Sequence, residues 1–190
     1  MQRILSLCDY SGAWSQPYVD AGYDVIRIDI QTDGRDVRLL ERMDNVHGIL
    51  AAPPCTVFAC SGNRWRGNRT QEDMIEALSV VDACIRIVWA HRQTVKWWAL
   101  ENPRGTLVRY LGKPKMYFNP CDFGDPWTKK SCLWGDFVPP LPIILGEYRN
   151  VPPIEGSKMH IKYGGASLAT KNARSQTPKG FAQAFFVANQ

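Results

Sequence analysis

The order of apolar runs and turns in the first 30 residues constrains the fold of this chain more than any other feature. A strand, a tight turn, a helix and a second strand are predicted in succession at residues 3–8, 9–12, 15–21 and 23–30. Gly22 closes the helix, and Asp29 ends the second strand. This succession is typical of the first unit of a doubly wound α/β fold, which has a mostly parallel sheet with helices on both faces.

Later segments continue the alternation of strands and helices. Further strands are predicted at residues 46–52, 95–100, 115–118 and 131–134, helices at 71–92 and 178–188, and a Pro- and Gly-rich loop at 138–165. The first of these helices has an apolar residue at every third or fourth position, namely Met74, Leu78, Val81, Ile85 and Val88. A length of 190 residues with 45% hydrophobic residues predicts a single domain, residues 1–190.

The composition argues against several classes of protein. No stretch approaches the roughly 20 apolar residues that a membrane span needs, and the N-terminus lacks the layout of a signal peptide. We therefore expect a cytoplasmic protein without a membrane partner. The six cysteines and three histidines show no metal-ligand spacing, which predicts reduced thiols and no metal. The net charge is +5, with the basic excess after residue 50, and this suits contact with an anionic polymer.

The carboxyl ends of the predicted strands carry the candidate functional groups. Because ligands of open α/β sheets bind at this edge, four groups are expected to converge there: the turn at residues 9–12, Asp29, Pro53-Pro54-Cys55 and Glu101-Asn102-Pro103. The glycine turn lets a nucleoside-bearing cofactor approach the backbone, and Asp29 can accept hydrogen bonds from ribose hydroxyls. A structural turn with a solvated Asp29 is the competing interpretation.

Cys55 is the candidate nucleophile. Two prolines precede it and restrict the backbone, so that the thiol at the strand end has a defined direction. A thiolate in such a position can attack an electrophilic carbon. The competing interpretation is a buried structural cysteine, which is the usual fate of a free cysteine.

Seven segments carry a more specific pattern: residues 7–15, 21–25, 34–37, 51–56, 101–103, 123–130 and 174–184. They resemble, in the same order, the motifs of the DNA cytosine carbon-5 methyltransferases. Ala-Ala-Pro-Pro-Cys-Thr at 51–56 is similar to the family's Pro-Cys nucleophile motif, and Glu-Asn-Pro at 101–103 is similar to its Glu-Asn-Val motif. The resemblance implies the Rossmann-like fold of class I methyltransferases, S-adenosylmethionine as cofactor and cytosine in DNA as substrate.

The resemblance also implies roles for individual residues. The catalytic group would be Pro54, Cys55, Glu101, Asn102 and Lys129. In this family, the cysteine thiolate attacks carbon 6 of cytosine, and the glutamate hydrogen-bonds or protonates ring nitrogen 3. The cofactor would be bound by Cys8, Asp9, Tyr10, Ser11, Gly12, Trp14, Asp29, Ile30, Asp36, Val37, Pro53, Ser175 and Thr177.

The chain departs from the family's pattern at several positions. Tyr10 occupies the first glycine position of the cofactor loop, and Trp127 stands where the family has glutamine. Lys129 and Ser131 replace arginines, and lysine lacks the planar fork of arginine. A short region at about 136–173 stands in place of a large target-recognition domain, as in a compact bacteriophage-type member. We therefore expect reduced sequence selection or a separate specificity partner in a bacterial or phage-infected cell.

The segment after the nucleophile is the candidate contact with DNA. Substrate-binding residues are predicted to be Arg64, Trp65, Arg66, Arg69 and Lys130, since arginines neutralise phosphates and tryptophan can stack or wedge. The target cytosine must be flipped out of a duplex or presented on a single strand. A solvated surface loop is the competing interpretation of residues 61–69.

Two other functions agree with the same sequence. One is a pyrimidine nucleotide modifier that acts on free nucleotides, because the large recognition insert is missing. The other is a catalytically degenerate fold that binds DNA or a protein partner. The sequence does not give the oligomeric state.

Overall fold

One six-stranded sheet forms the centre of the molecule. The computed structural model describes residues 1–59, 69–142 and 167–190. The strands are Arg3–Leu7 (β1), Asp24–Ile28 (β2), Val46–Ala51 (β3), Trp97–Pro103 (β4), Met116–Phe118 (β5) and Ser131–Asp136 (β6). The helices are Gln16–Asp20 (α1), Gln71–Ala90 (α2), Val108–Leu111 (α3), Leu168–Ser175 (α4) and Lys179–Ala188 (α5), and short 3-10 helices occupy Val37–Leu39 and Pro120–Phe123.

The strand order confirms the predicted Rossmann-like, doubly wound α/β fold. The strands lie in the order β2-β1-β3-β4-β6-β5. The first four are parallel to one another, whereas β6 is antiparallel to both β4 and β5. Because β1 lies between β2 and β3, the chain winds outwards from β1 in both directions, and the carboxyl ends of β1 to β4 share one edge.

Two hydrophobic cores lie on opposite faces of the sheet. Successive residues of a strand alternate between them, as with Ile49 on one face and Leu50 on the other. The first core is mainly aliphatic and packs against α2. The second core is rich in aromatic residues and packs against α1 and α5, for example through Tyr18 and Phe181. Helices therefore cover both faces, as the sequence predicts.

Helix α2 begins where its sequence provides a cap. The Thr70 hydroxyl accepts a hydrogen bond from the Asp73 N–H, and the Asp73 carboxylate accepts one from the Thr70 N–H. Val81 and Val88 from the predicted apolar stripe are buried, and Met74 packs against the same core. Within residues 1–59, 69–142 and 167–190, no helix has the length and apolar character needed to cross a bilayer.

The structure extends one predicted strand and adds one helix that was not predicted. The prediction ended the fourth strand before Glu101, but β4 continues to Pro103 because Glu101 and Pro103 pair with Leu133 and Ser131 of β6. Helix α4 was not predicted, because none of its residues is buried and its sequence lacks an apolar stripe. Most of the predicted loop, residues 143–166, lies outside the described residues.

Candidate active site

Cys55 lies on a tight turn directly after β3. Its carbonyl oxygen accepts hydrogen bonds from the Phe58 N–H at 3.0 Å and the Ala59 N–H at 2.9 Å. These bonds define the Cys55 turn, residues 55–59. The side chain of Cys55 is half-buried. The thiol is therefore held at the carboxyl edge of the sheet without being enclosed in either core.

Asn102 connects the Cys55 turn with β4. Its side-chain Nδ2 donates a hydrogen bond to the Pro53 carbonyl at 2.9 Å, and the residue has no exposed surface. Its Oδ1 atom has no hydrogen-bond partner within the described part of the chain. Gly105 makes a β-bridge with Ala59, and the Thr106 N–H donates to the Phe58 carbonyl at 2.8 Å. The segment after Glu101 thus fixes the position of the turn.

Charged groups of both signs act on the Cys55 thiol. Burial raises the pKa of Cys55 above its usual range, and the carboxylate of Glu101 raises it further. The cationic side chains of Lys129 and Arg174 act in the opposite direction. The structure therefore brings together three predicted catalytic residues, Cys55, Glu101 and Lys129. Glu101 itself is buried, with 8% of its surface exposed.

Arg174 is a residue that the sequence did not single out for this site. It lies in the last turn of α4, and its carbonyl accepts a hydrogen bond from Lys129 Nζ at 3.1 Å. Through this bond, α4 is joined to the start of β6, and a second cation comes near the thiol. Arg174 directly precedes Ser175 in the last of the family-like segments. This position is the one sequence signal that pointed towards Arg174.

Asp9 organises the turn after β1. It is buried and accepts hydrogen bonds from the hydroxyls of Ser6 at 2.8 Å and Ser15 at 3.0 Å. Arg27 donates from Nε to the Ser15 hydroxyl at 2.9 Å. Gly12 has a φ of +65°, and a Cβ there would lie 2.5 Å from the Arg27 guanidinium carbon. The backbone conformation favours glycine, and a side chain there would also displace the Arg27 guanidinium.

Asp29 lies beside this turn at the end of β2. Burial raises the pKa of Asp29, the hydrogen bond from the Gln31 N–H at 2.8 Å lowers it, and the carboxylates of Asp9 and Asp33 raise it. The next residue, Ile30, is 62% exposed. A buried carboxylate and an exposed aliphatic side chain thus stand next to each other.

Helix α4 crosses from the end of β2 towards the thiol. Asn172 Nδ2 donates a hydrogen bond to the Gln31 side-chain oxygen at 3.0 Å, and Lys129 is held at the other end of the helix. A cleft of about 390 Å³ opens beside the glycine turn at residues 9–12. Residues that line it include Ser11, Gly12, Gln16, Asp20, Gln176 and Lys179. The predicted cofactor segments at 9–12 and 174–178 therefore meet, but the cleft does not include the thiol.

The side chains of three other predicted cofactor residues make packing contacts or ion pairs within the protein. Trp14 is fully buried and packs edge-on against Phe185, with 5.5 Å between the ring centroids. Val37 belongs to the aliphatic core. Asp36 forms an ion pair with Arg38 at 2.5 Å, and hydrogen bonds from Arg38 lower the pKa of Asp36. Their assignment to a cofactor site stays a prediction.

The remaining predicted cofactor residues lie around the turn and its neighbours. Tyr10 is 41% exposed, while Thr177 is buried. Ser175 donates its hydroxyl to the Asn172 carbonyl at 2.9 Å. Cys8 adopts a left-handed φ of 58° and packs against the aliphatic core that contains Cys84 of α2. These placements leave the predicted roles open.

The predicted DNA-contacting residues divide into two groups. Arg64, Trp65 and Arg66 lie outside the described residues. Arg69 donates hydrogen bonds to the carbonyls of Val57 and, at 2.8 Å, of Thr56, so it supports the Cys55 turn. Lys130 is exposed, and its Nζ lies 5.6 Å from the centre of the Tyr117 ring.

Comparisons with known proteins return distant structural matches. No protein-family model matches the sequence, and no curated protein matches it. A prophage protein of E. coli assigned as a DNA modification methyltransferase has a TM-score of 0.48 and 17% identity, over 72% of this chain and 47% of that one. A DNMT2 variant of Spodoptera frugiperda has a TM-score of 0.46 and 20% identity, over 72% of this chain and 50% of that one. Dnmt2 methyltransferase of S. pombe has a TM-score of 0.45 and 14% identity, over 88% of this chain and 55% of that one. The chain spans about half the length of these proteins.

Proposed function

We propose that this protein is an S-adenosylmethionine-dependent methyltransferase that acts on carbon 5 of cytosine in DNA. The observation that carries the proposal is the meeting of a thiol, a carboxyl group and two cations at one edge of the sheet. Cys55 comes from the turn after β3 and Glu101 from β4, while Lys129 and Arg174 complete the group. This combination suits covalent addition to an electron-poor pyrimidine ring.

The residues beside the turn after β1 fit the proposed cofactor. The carboxylate of Asp29 is an acceptor for ribose hydroxyls, and exposed Ile30 offers an apolar surface to adenine. The neighbouring carboxylate of Asp9 adds negative charge, which favours a cationic sulfonium over a pyrophosphate. When bound, S-adenosylmethionine supplies an electrophilic methyl group.

The proposed reaction begins with the Cys55 sulfur. The thiolate forms a bond to carbon 6 of cytosine, and Glu101 shares a proton with ring nitrogen 3, so that negative charge does not accumulate in the ring. Carbon 5 then has the electron density to accept the methyl group. Transfer of the carbon 5 proton to a water molecule restores the ring double bond and expels the Cys55 thiolate. Asn102 holds the loop that carries the sulfur through its bond to Pro53.

The charges around the thiol favour this order of events. With Glu101 ionised, its negative charge opposes formation of the Cys55 thiolate. When cytosine binds, the Cys55 thiol releases its proton to solvent, and one proton from solvent is taken up between Glu101 and ring nitrogen 3. The charge of the site is thereby conserved, the repulsion falls, and Lys129 and Arg174 still stabilise the sulfur anion. Activation of the sulfur is thereby coupled to the presence of the base.

DNA that contains 5-fluorocytosine tests the proposal, because fluorine cannot leave as a cation and the covalent adduct accumulates. We expect an adduct mapped by mass spectrometry to Cys55, formed only in the presence of S-adenosylmethionine and absent in Cys55→Ser. Cys121→Ser is the matched control, since Cys121 lies in the 3-10 helix Pro120–Phe123 and should leave the yield unchanged. An adduct on another cysteine, or none with any DNA, would contradict the mechanism.

The substrate is identified by three parallel assays with labelled methyl donor. Duplex DNA, single-stranded DNA and dCMP are offered separately to the same preparation. Transfer to either polymer supports the proposal. Transfer confined to dCMP would instead establish a modifier of free nucleotides, and no transfer at all would favour a binding protein.

A further inference from the structure

A basic and aromatic surface lies beside the candidate active site. We call it the Arg104 surface, and it consists of Arg104, Arg109, Tyr110, Lys113, Tyr117 and Lys130. All six side chains are exposed. Within the described residues, none of its four cations forms an ion pair with a carboxylate. No acidic residue occurs between positions 102 and 121. The surface as defined therefore carries four cations and no carboxylate.

The acidic residues nearest to these positions in the sequence do not join the surface. Glu101 is buried at the candidate site. Asp122 accepts a hydrogen bond from the Asn119 N–H at 2.9 Å and caps a 3-10 helix. Asp125 has a buried Oδ2 atom and lies against Gly180 at the start of α5. Helix α5 packs on the aromatic core, whereas α3 packs on the aliphatic core at the other face of the sheet. These carboxylates consequently do not offset the charge of the Arg104 surface.

Two tyrosine rings stand among the cations. Tyr110 is 50% exposed and Tyr117 is 46% exposed. Tyr117 pairs with Cys132 of β6, so its side chain lies on the α2 face of the sheet, the face on which α3 packs. Tyr110 lies in α3, and the centroid of its ring is 6.5 Å from the ring centroid of Phe58 in the Cys55 turn. Exposed rings among cations are typical of surfaces that stack the bases of single-stranded nucleic acid.

The surface is continuous with the Cys55 turn. Gly105 bridges to Ala59, and a Cβ on Gly105 would lie 1.9 Å from the Phe58 carbonyl oxygen, so the two backbones are in direct contact. The Arg104 N–H donates to the Lys130 carbonyl at 2.8 Å, next to Lys129 of the candidate site. A strand that placed one nucleotide at Cys55 would have neighbouring nucleotides within reach of these cations and rings.

We propose that the Arg104 surface docks the unpaired DNA strand next to the target base. This inference rests on the proposed function, and it adds the place where the substrate is held and its single-stranded form. Cations neutralise the phosphates, and the two tyrosines stack unpaired bases, which a duplex cannot offer without opening. Duplex DNA should therefore bind more weakly than a single strand of the same length.

The test measures fluorescence anisotropy of labelled oligothymidylate without methyl donor, over a range of salt concentrations. Combined Arg104→Ala, Arg109→Ala and Lys113→Ala should weaken binding at least ~tenfold and reduce the slope of log affinity against log salt by about 2, at ~0.7 per lost phosphate contact. The matched control removes three cations at the amino ends of the strands, Arg42, Arg92 and Lys96. It should leave both quantities close to wild type.

Aromatic variants separate stacking from charge. Tyr110→Ala and Tyr117→Ala should each weaken binding of the single strand about tenfold, whereas the Phe variants, which keep the ring, should restore it. Unchanged affinity in the triple cation variant, or equal affinity for single strand and duplex, would overturn the proposal. If wild type forms the fluorocytosine adduct and the triple cation variant binds normally, the proposed role of the Arg104 surface is rejected and the methyltransferase proposal stands. If the triple cation variant loses binding and wild type forms no adduct, the methyltransferase proposal is rejected and the role of the Arg104 surface stands.

Discussion

At the scale of single residues, the thiol of Cys55 is controlled by charges from three separate elements. Glu101 comes from β4, Lys129 precedes β6, and Arg174 comes from α4. Burial of the thiol and the carboxylate of Glu101 both raise the pKa of Cys55. The free thiol should therefore be less reactive at neutral pH than an ordinary cysteine, whose pKa is about 8.5.

Replacing Glu101 with glutamine should affect two properties of the site in opposite directions. Loss of the negative charge lowers the pKa of Cys55, so iodoacetamide should alkylate Cys55 faster at a given pH. Methyl transfer should fall, because glutamine cannot share the proton. In wild type, alkylation should continue to increase above pH 8.5, since the thiolate fraction is still rising there. Peptide mass mapping across pH measures these rates.

Glu41→Gln is the matched control for this experiment, because Glu41 is exposed and lies outside the candidate site. It should leave both alkylation and methyl transfer unchanged. Slower alkylation of Cys55 in Glu101→Gln would mean that the carboxylate activates the thiol, contrary to the electrostatics described above.

At the scale of elements, close backbone contact joins the end of β4 to the Cys55 turn. Gly105 has no room for a side chain, because a Cβ would lie 1.9 Å from the Phe58 carbonyl oxygen. Asn102 and Thr106 make hydrogen bonds across the same junction. The thiol and the carboxyl group are therefore positioned relative to each other by main-chain contacts as well as side chains.

Gly105→Ala should separate these elements. We expect a loss of about 1–3 kcal/mol in the free energy of unfolding, as for other overpacked sites, together with a lower yield of the fluorocytosine adduct. Urea denaturation followed by circular dichroism measures the first, and gel shift the second. Gly22→Ala is the control, since Gly22 has a φ of +84° with open space around it. It should lose stability through backbone strain but retain the yield, and equal yields in both variants would contradict the proposed junction.

At the scale of the whole molecule, Asn189 ties three distant parts of the chain together. Its side chain accepts from the Val138 N–H at 2.7 Å and donates to the Val138 carbonyl at 2.9 Å. Its carbonyl accepts from the Tyr18 hydroxyl at 2.8 Å. The residue is almost fully buried, at 3% exposure. It links α1, the end of β6 and the end of α5.

Asn189→Ala should therefore destabilise the protein as a whole. Removing the amide leaves partly buried backbone groups without partners, which costs about 1–3 kcal/mol. Thermal denaturation should show a lower Tm than wild type, whereas Gln190→Ala, at an exposed position, should not. A Tm equal in the two variants would show that these bonds are replaced by water.

The fold followed from local patterns, but parts of the candidate site did not. Apolar runs such as residues 46–52 predict strands well because burial on both faces leaves a continuous signal. Helix α4 has no buried residue, so nothing in its own sequence marked it as part of the site. Arg174 lies 119 positions from Cys55, and only tertiary structure brings its charge to the thiol. The extension of β4 depended in the same way on its pairing with β6.

The junction between β4 and the Cys55 turn also determines how the site can adapt to the ring. The backbone of Glu101 pairs with Leu133 inside the sheet, so it cannot shift without disturbing β6. The turn that carries Cys55 is attached to the segment after Glu101 by a β-bridge and by hydrogen bonds. Because both backbones are held, differences in depth or tilt between one bound pyrimidine and another must be accommodated by rotation of the two side chains.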